Sequence, residues 1–121
     1  MPSPRQQQGT KGEEAALALL AQHGQRLLVR NHRCRRGELD LVTLDGDVLV
    51  FVEVRSRADG EHGDAAASVT PRKQRRVIHA AQDFLMRHPE YQSRYCRFDV
   101  VTIDGDGPPQ WIKNAFEVQS P

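Results

Sequence analysis

The feature that most restricts how this chain can fold is acid set inside apolar strand sequence. Gly37-Glu38-Leu39-Asp40-Leu41-Val42 and Phe51-Val52-Glu53-Val54-Arg55 each place carboxylates among side chains that belong in a core. Removing a carboxylate from water costs several kcal/mol unless a cation, a metal or hydrogen-bond donors answer it. The punctuation between the two segments brings them together. Residues 39–44 and 48–54 read as strands, the second rich in β-branched side chains, and Asp45-Gly46 between them is a strong hairpin signal. With Asp45-Gly46 as the turn, Leu44 pairs with Asp47, Asp40 faces Phe51, and Glu38 faces Glu53. Asp40 is then diagonal to Glu53, and Arg55 lies one step along the same face. Clustered hard oxygen donors of this kind are the usual way to hold Mg²⁺ or Mn²⁺. A three-residue turn would send Asp40 and Glu53 to opposite faces and remove the cluster.

The remaining elements follow from period and breakers. Ala16, Leu17 and Leu20 recur at helical spacing from residue 10 to about 23, with Gly24 as the stop; residues 1–9 read as a disordered tail. Leu27-Leu28-Val29 reads as a short strand, and residues 58–68 as a mobile loop. Thr70-Pro71 opens a second helix, Thr at the N-cap and Pro at the first helical position. Val77, Ile78, Ala81, Phe84 and Leu85 form its buried stripe, and Pro89 ends it. Residues 97–103 and 111–118 read as two more strands around Asp104-Gly105-Asp106-Gly107-Pro108-Pro109. Residues 10–121 thus form a single α/β domain with a mixed sheet.

Composition excludes several classes. At 27% charged and 38% hydrophobic, the chain is an ordinary globular one with no apolar run long enough for a bilayer. The start, Met1-Pro2-Ser3-Pro4-Arg5, carries no apolar stretch behind its Arg and is no secretory signal, which points to a cytoplasmic protein. Cys34 and Cys96 form no CxxC and read as reduced thiols. Net charge is only +1, yet cations crowd the middle of the chain. Arg72, Lys73, Arg75 and Arg76 occupy the first turns of the second helix, where the macrodipole favours negative side chains, so the placement suits an external anion. Arg33, Arg35 and Arg36 make a second patch before Asp40, and Arg57 follows Arg55. With few aromatics for base stacking, these cations suit recognition of a nucleic-acid backbone rather than of sequence.

Plainer readings exist for each group. Thr10-Lys11-Gly12-Glu13 fits a capping box, although Ala16, Leu17 and Leu20 three, four and seven positions on aim Glu13 toward the core. Asp40 and Glu53 could pair with Arg55 or Arg57, Glu38 could be solvated, and the cations of the second helix could reach Asp59, Glu61 or Asp64.

Taken together, Gly12-Glu13, Arg30-Asn31-His32-Arg33-Cys34-Arg35-Arg36-Gly37-Glu38-Leu39-Asp40, Phe51-Val52-Glu53-Val54-Arg55-Ser56-Arg57, Lys73-Gln74-Arg75-Arg76 and Arg97-Phe98-Asp99-Val100-Val101 resemble the YraN-like family of small bacterial proteins. That family is similar to the restriction-endonuclease-like superfamily, which includes Holliday junction resolvases. The resemblance implies an α/β fold with a mixed sheet of about five strands flanked by helices. It implies a metal-dependent nuclease acting on DNA, with Asp40 and Glu53 as metal-binding carboxylates, the Val54 carbonyl as a further ligand, and Glu13 as the helical acid of the resolvase branch. Arg55 would stand where the superfamily has Lys. Arg stays protonated, so it can offset phosphate charge but cannot act as a base. Many enzymes of that fold cut as homodimers. The alternatives are a non-catalytic nucleic-acid-binding module with a relict metal site, and a protein-interaction module.

Overall fold

The computed structural model describes residues 4–57 and 66–118, with side chains from residue 12. Helix α1 (Pro4–Gln22) leads into a five-stranded sheet of β1 (Arg26–Cys34), β2 (Gly37–Asp45), β3 (Val48–Arg57), β4 (Cys96–Asp104) and β5 (Gln110–Phe116). Helix α2 (Pro71–Arg87) connects β3 to β4, and short 3-10 turns occupy Ala66–Ser68 and Pro89–Tyr91. The strands lie in the order β1-β2-β3-β4-β5. Only β3 and β4 run parallel, as a crossover through a helix permits, and the other neighbours are antiparallel. This is the expected α/β architecture, a mixed five-stranded sheet flanked by helices and consistent with a restriction-endonuclease-like fold.

The helices cover opposite faces. Ala16 and Leu20 of α1 pack on Leu41, Val50, Val52, Val101 and Ile103. Val77, Ala80, Ala81 and Phe84 of α2 pack on Leu39, Val42, Phe51, Phe98 and Val100. Rings at 5.4 Å (Phe51 and Phe98), 5.0 Å (Phe98 and Phe116) and 6.1 Å (Phe51 and Phe84) lock the α2 side. Strand β3, central in the sheet, is covered on both faces, which explains its almost continuous apolar sequence.

Several boundaries differ from the sequence expectation. Helix α1 begins at Pro4, so residues 4–9, read as a tail, continue the helix, and Thr10 lies inside it rather than at a cap. The glutamines there lack apolar periodicity but are good helix formers, and Pro suits a first turn. Thr70 does cap α2, accepting from the Lys73 amide at 3.3 Å. Gly24 ends α1 with a φ of 81°. The loop expected at 58–68 falls outside the described residues up to 65.

Strand β1 is longer than its apolar part. It runs on through Arg30-Asn31-His32-Arg33-Cys34 and pairs with β2 as far as Cys34 opposite Gly37, turning at Arg35-Arg36. Alternation failed to reveal this because the strands exchange faces midway. Arg30 reaches Glu14 of α1, whereas His32, two residues on, meets Asp83 and Phe84 of α2. Leu41 likewise joins the α1 core and Leu39 the α2 core. The switch falls at Asn31, which has a φ of 53°, and at Asp40, which the register sets opposite it. Asn tolerates this left-handed backbone better than most residues.

A buried hub fixes the far side of the sheet. Asp99 is 0% exposed and accepts from Arg97 Nε (2.9 Å) and Nη2 (3.0 Å), Trp111 Nε1 (2.9 Å) and the Asn114 amide (2.9 Å). Replacing Asp99 with Ala leaves Arg97 with Asp45 alone, 3.1 Å from its Nη2, and two further donors without their acceptor, and should cost roughly 3–5 kcal/mol of stability in denaturant titrations. A loss under about 1 kcal/mol would show that the hub is dispensable. A second structural demand is made at Gly37, where a Cβ would lie 1.9 Å from the Arg76 carbonyl oxygen of α2. Gly37→Ala should therefore push the β1-β2 hairpin off α2 and cost about 1–3 kcal/mol by the same measurement.

Candidate metal and phosphate site

Strands β2 and β3 pair from Asp45 opposite Val48 to Leu41 opposite Val52. The turn is Gly46-Asp47, with Gly46 at a φ of 59°, the sign a II′ turn needs at its first position. It lies one residue beyond the expected Asp45-Gly46. Moving a two-residue turn by one position changes every pairing by two, which preserves the shared face but alters the partner. Continued one step, the observed register sets Asp40 opposite Glu53 rather than diagonal to it. Just past the last paired residues the Val54 amide donates to Asp40 Oδ2 at 2.8 Å.

Asp40 and Glu53 are half-buried and share a hydrogen bond between their carboxyl groups. Burial raises Glu53 from 4.5 to about 9, and the Asp40 charge adds to the effect. Burial raises Asp40 from 3.8 to about 6, against the stabilising Val54 amide. Glu13 and Glu38 both add repulsion at Asp40. The pair therefore retains one proton near neutral pH.

Glu13 arrives because α1 lies close over β3. A Cβ on Gly12 would be 2.4 Å from Ser56 Oγ, so glycine there allows the approach that brings its neighbour to the acid pair. Glu13 is 17% exposed, and its Oε1 is buried without a hydrogen-bond partner among the described residues; Arg30 Nη2 stands 3.8 Å away.

Cations reach the pair from one side. A cleft of about 240 Å³ is lined by Glu38, Glu53, Arg55, Lys73, Arg76 and Val77. Arg55 Nε is buried and donates to no acceptor among the described residues. Burial and the Arg55 charge pull Lys73 below its ordinary value, with Glu53 acting the opposite way. Thr70 already holds the Lys73 amide.

The other predicted cations are dispersed. Arg75 lines a separate cavity of about 400 Å³ with Ile78 and Glu117, and Arg72 is exposed. Arg35 and Arg36 border a cleft of about 250 Å³ with Cys34 and Met86, while exposed Arg33 is 3.5 Å from Glu38. Arg57 must be withdrawn from the nucleic-acid set. It is buried, and its Nε and Nη2 donate to Asp104 at 2.6 and 2.9 Å, its direct partner across β3 and β4.

Sequence reasoning missed His32 and Asp83, which position the site. His32 Nε2 and Asp83 Oδ2 are 2.8 Å apart, tying the hairpin that carries Glu38 and Asp40 to α2. No local signal marks a pair 51 residues apart. Lys73, grouped with its neighbours, stands one turn before Val77 on the buried stripe, and that spacing distinguishes it from Arg72 and Arg75.

The residues fit a divalent cation in one respect and leave the rest to be supplied. No three His, Cys, Asp or Glu side chains among the described residues form a complete metal site. Asp40 and Glu53 form a carboxylate pair, and the unpartnered Glu13 Oε1 lies near it. Mg²⁺ commonly takes one or two carboxylates and completes its shell with water and substrate phosphate.

Fold and site together define an α/β protein, consistent with a restriction-endonuclease-like fold, that sets a half-buried acid pair beside a cationic cleft. The chain belongs to the uncharacterised protein family UPF0102, whose model matches residues 12–103, from the glycine of α1 that lies against β3 to the end of the β4 core. This is the YraN-like family indicated by the motifs. A UPF0102 protein of Herminiimonas arsenicoxydans is 55% identical over 113 residues, covering 93% of this chain and 89% of its own. Relatives in Xanthomonas euvesicatoria (54% over 117 residues, 96% of both chains) and Alkalilimnicola ehrlichii (51% over 115 residues, 95% and 90%) bear the same family name. No helix among the described residues is long and apolar enough to cross a membrane.

The raised acids give a testable pH dependence. Between 4.5 and about 9 the folded protein keeps a proton on Glu53 that the unfolded chain has released. Metal-free stability should therefore fall as pH rises through that window. Glu53→Gln should flatten the fall and melt higher than wild type at pH near 8 in chelator. Parallel pH profiles of the two proteins would contradict the assignment.

Proposed function

We propose that this protein is a metal-dependent nuclease that hydrolyses DNA phosphodiesters, with branched or single-stranded DNA as the substrates to examine first. The observation that carries the reading is the carboxylate pair itself: Asp40 and Glu53 are held together out of much of the solvent at an energetic cost, and Glu53 lines a cleft with Arg55, Lys73 and Arg76. Asp40 and Glu53 would hold Mg²⁺ or Mn²⁺, with Glu13 beside them, and the bound ion would supply a water of lowered pKa. The Val54 amide orients Asp40. Arg55 presents a fixed charge to a phosphate and removes no proton, since guanidinium stays protonated. The exposed cations Arg33, Arg35, Arg36, Arg72 and Arg75 would follow the nucleic-acid backbone.

Arg55 also favours a second reading, a nucleic-acid-binding module that keeps the acid pair without turnover. Calorimetric titration with Mn²⁺, followed by incubation with branched and single-stranded DNA, separates the two. Wild type is expected to bind Mn²⁺ and cut, and Asp40→Asn and Glu53→Gln to lose both, cleavage by about 100-fold or more. Binding without cleavage supports the second reading. Wild type that takes up no Mn²⁺ at millimolar concentration sinks the metal site.

A further inference from the structure

The strand motif supplies Arg55 to the cleft, and α2 supplies Lys73, of different chemistry, beside the exposed Arg76. We propose that Lys73 is a second phosphate-gripping cation of this centre, acting with Arg55 on the non-bridging oxygens of the phosphate under attack; the catalytic part of this proposal rests on the nuclease reading above.

Placement is the first support. Of the four cations at the start of α2, only Lys73 and Arg76 line the cleft with Glu38, Glu53 and Arg55. Lys73 is half-buried and one turn before Val77, while Arg72, Arg75 and Arg76 are exposed. The Thr70 cap fixes the backbone at Lys73 itself. An ammonium held close to a guanidinium is repelled by it, and the fold accepts that repulsion here.

The second support is the unanswered donor opposite. Arg55 Nε is buried with no acceptor among the described residues, a costly state for a charged N–H. A phosphoryl oxygen in the cleft would satisfy it and relieve the repulsion with Lys73. Glu38 and Glu53 disfavour an anion alone, so a phosphate would sit against the two cations and away from the acids.

The chemistry accounts for two cations. In hydrolysis the oxygen of water bonds to phosphorus, the bond from phosphorus to one sugar oxygen breaks, and a proton derived from water ends on that oxygen. No electrons are exchanged with another reagent. Negative charge shifts among the phosphate oxygens as the bonds change, and a planar guanidinium with a compact ammonium can meet two of them from different directions.

The test uses the full chain with Mn²⁺ and compares Lys73→Gln, Lys73→Arg, Arg72→Gln and Arg75→Gln. Lys73→Gln is expected to lower kcat by roughly 100-fold with little change in KM, and Lys73→Arg to restore much of it. Arg72→Gln and Arg75→Gln should act through KM, weakening DNA binding and each reducing the salt slope by about one. Lys73→Gln behaving like Arg75→Gln overturns the proposal. A second readout is independent of turnover: the Arg55 Nε–Hε resonance followed by NMR during titration with inorganic phosphate and Mg²⁺. It should move in wild type and move several-fold more weakly in Lys73→Gln. A Lys73-dependent shift in a protein that cuts no DNA leaves the phosphate grip standing while the nuclease reading falls. No shift, or an equal shift in both proteins, overturns the grip whatever the cleavage result.

Discussion

Everything around the site answers the cost of burying Asp40 beside Glu53. Two carboxylates in this position lose hydration and repel each other, and the protein meets that by sharing a proton and by aiming the Val54 amide at Asp40. The aromatic and aliphatic packing on both sides of β3 keeps the strands from parting. Cations stand close enough to attract an anion into the cleft, yet Arg55 Nε and Glu13 Oε1 remain without hydrogen-bond partners among the described residues. A core selected only for stability would pair such atoms.

The acid pair depends in turn on the exchange of faces at Asn31 and Asp40. Through it, one hairpin touches both helices: Arg30 meets the acids of α1, and His32 meets Asp83 of α2. Gly12 and Gly37 permit the close approaches on the two sides, one against Ser56 and the other against the Arg76 backbone. The Asp99 hub steadies β4 and β5 behind β3, using the Arg97 and Asp99 of a motif that had no assigned role.

Much of this was legible in the chain. The apolar stripe of α2, its Thr70 cap and the β-branched run of β3 follow from local propensity and period, which is why these elements could be recognised directly. Acids inside strand sequence marked Asp40 and Glu53, because burial of charge is costly in any fold. Other features were hidden because alternation is a rule for flat strands. The far half of β1 broke it at Asn31, and the β2-β3 turn slipped by one residue, preserving the face while changing the partner of Asp40.

The sequence by itself determined α2, the core of β3 and the α/β class, since these rest on local propensity and period, and it singled out Asp40 and Glu53 as acids in apolar strands. Only the tertiary structure decided which cations stand beside the acids. Arg57 is taken by Asp104, 47 residues away, and Lys73 is brought to Glu53 and Arg55 by the crossover of α2. Charge in a sequence gives a supply of partners; packing over long separations decides which are spent on one another and which are left for a ligand.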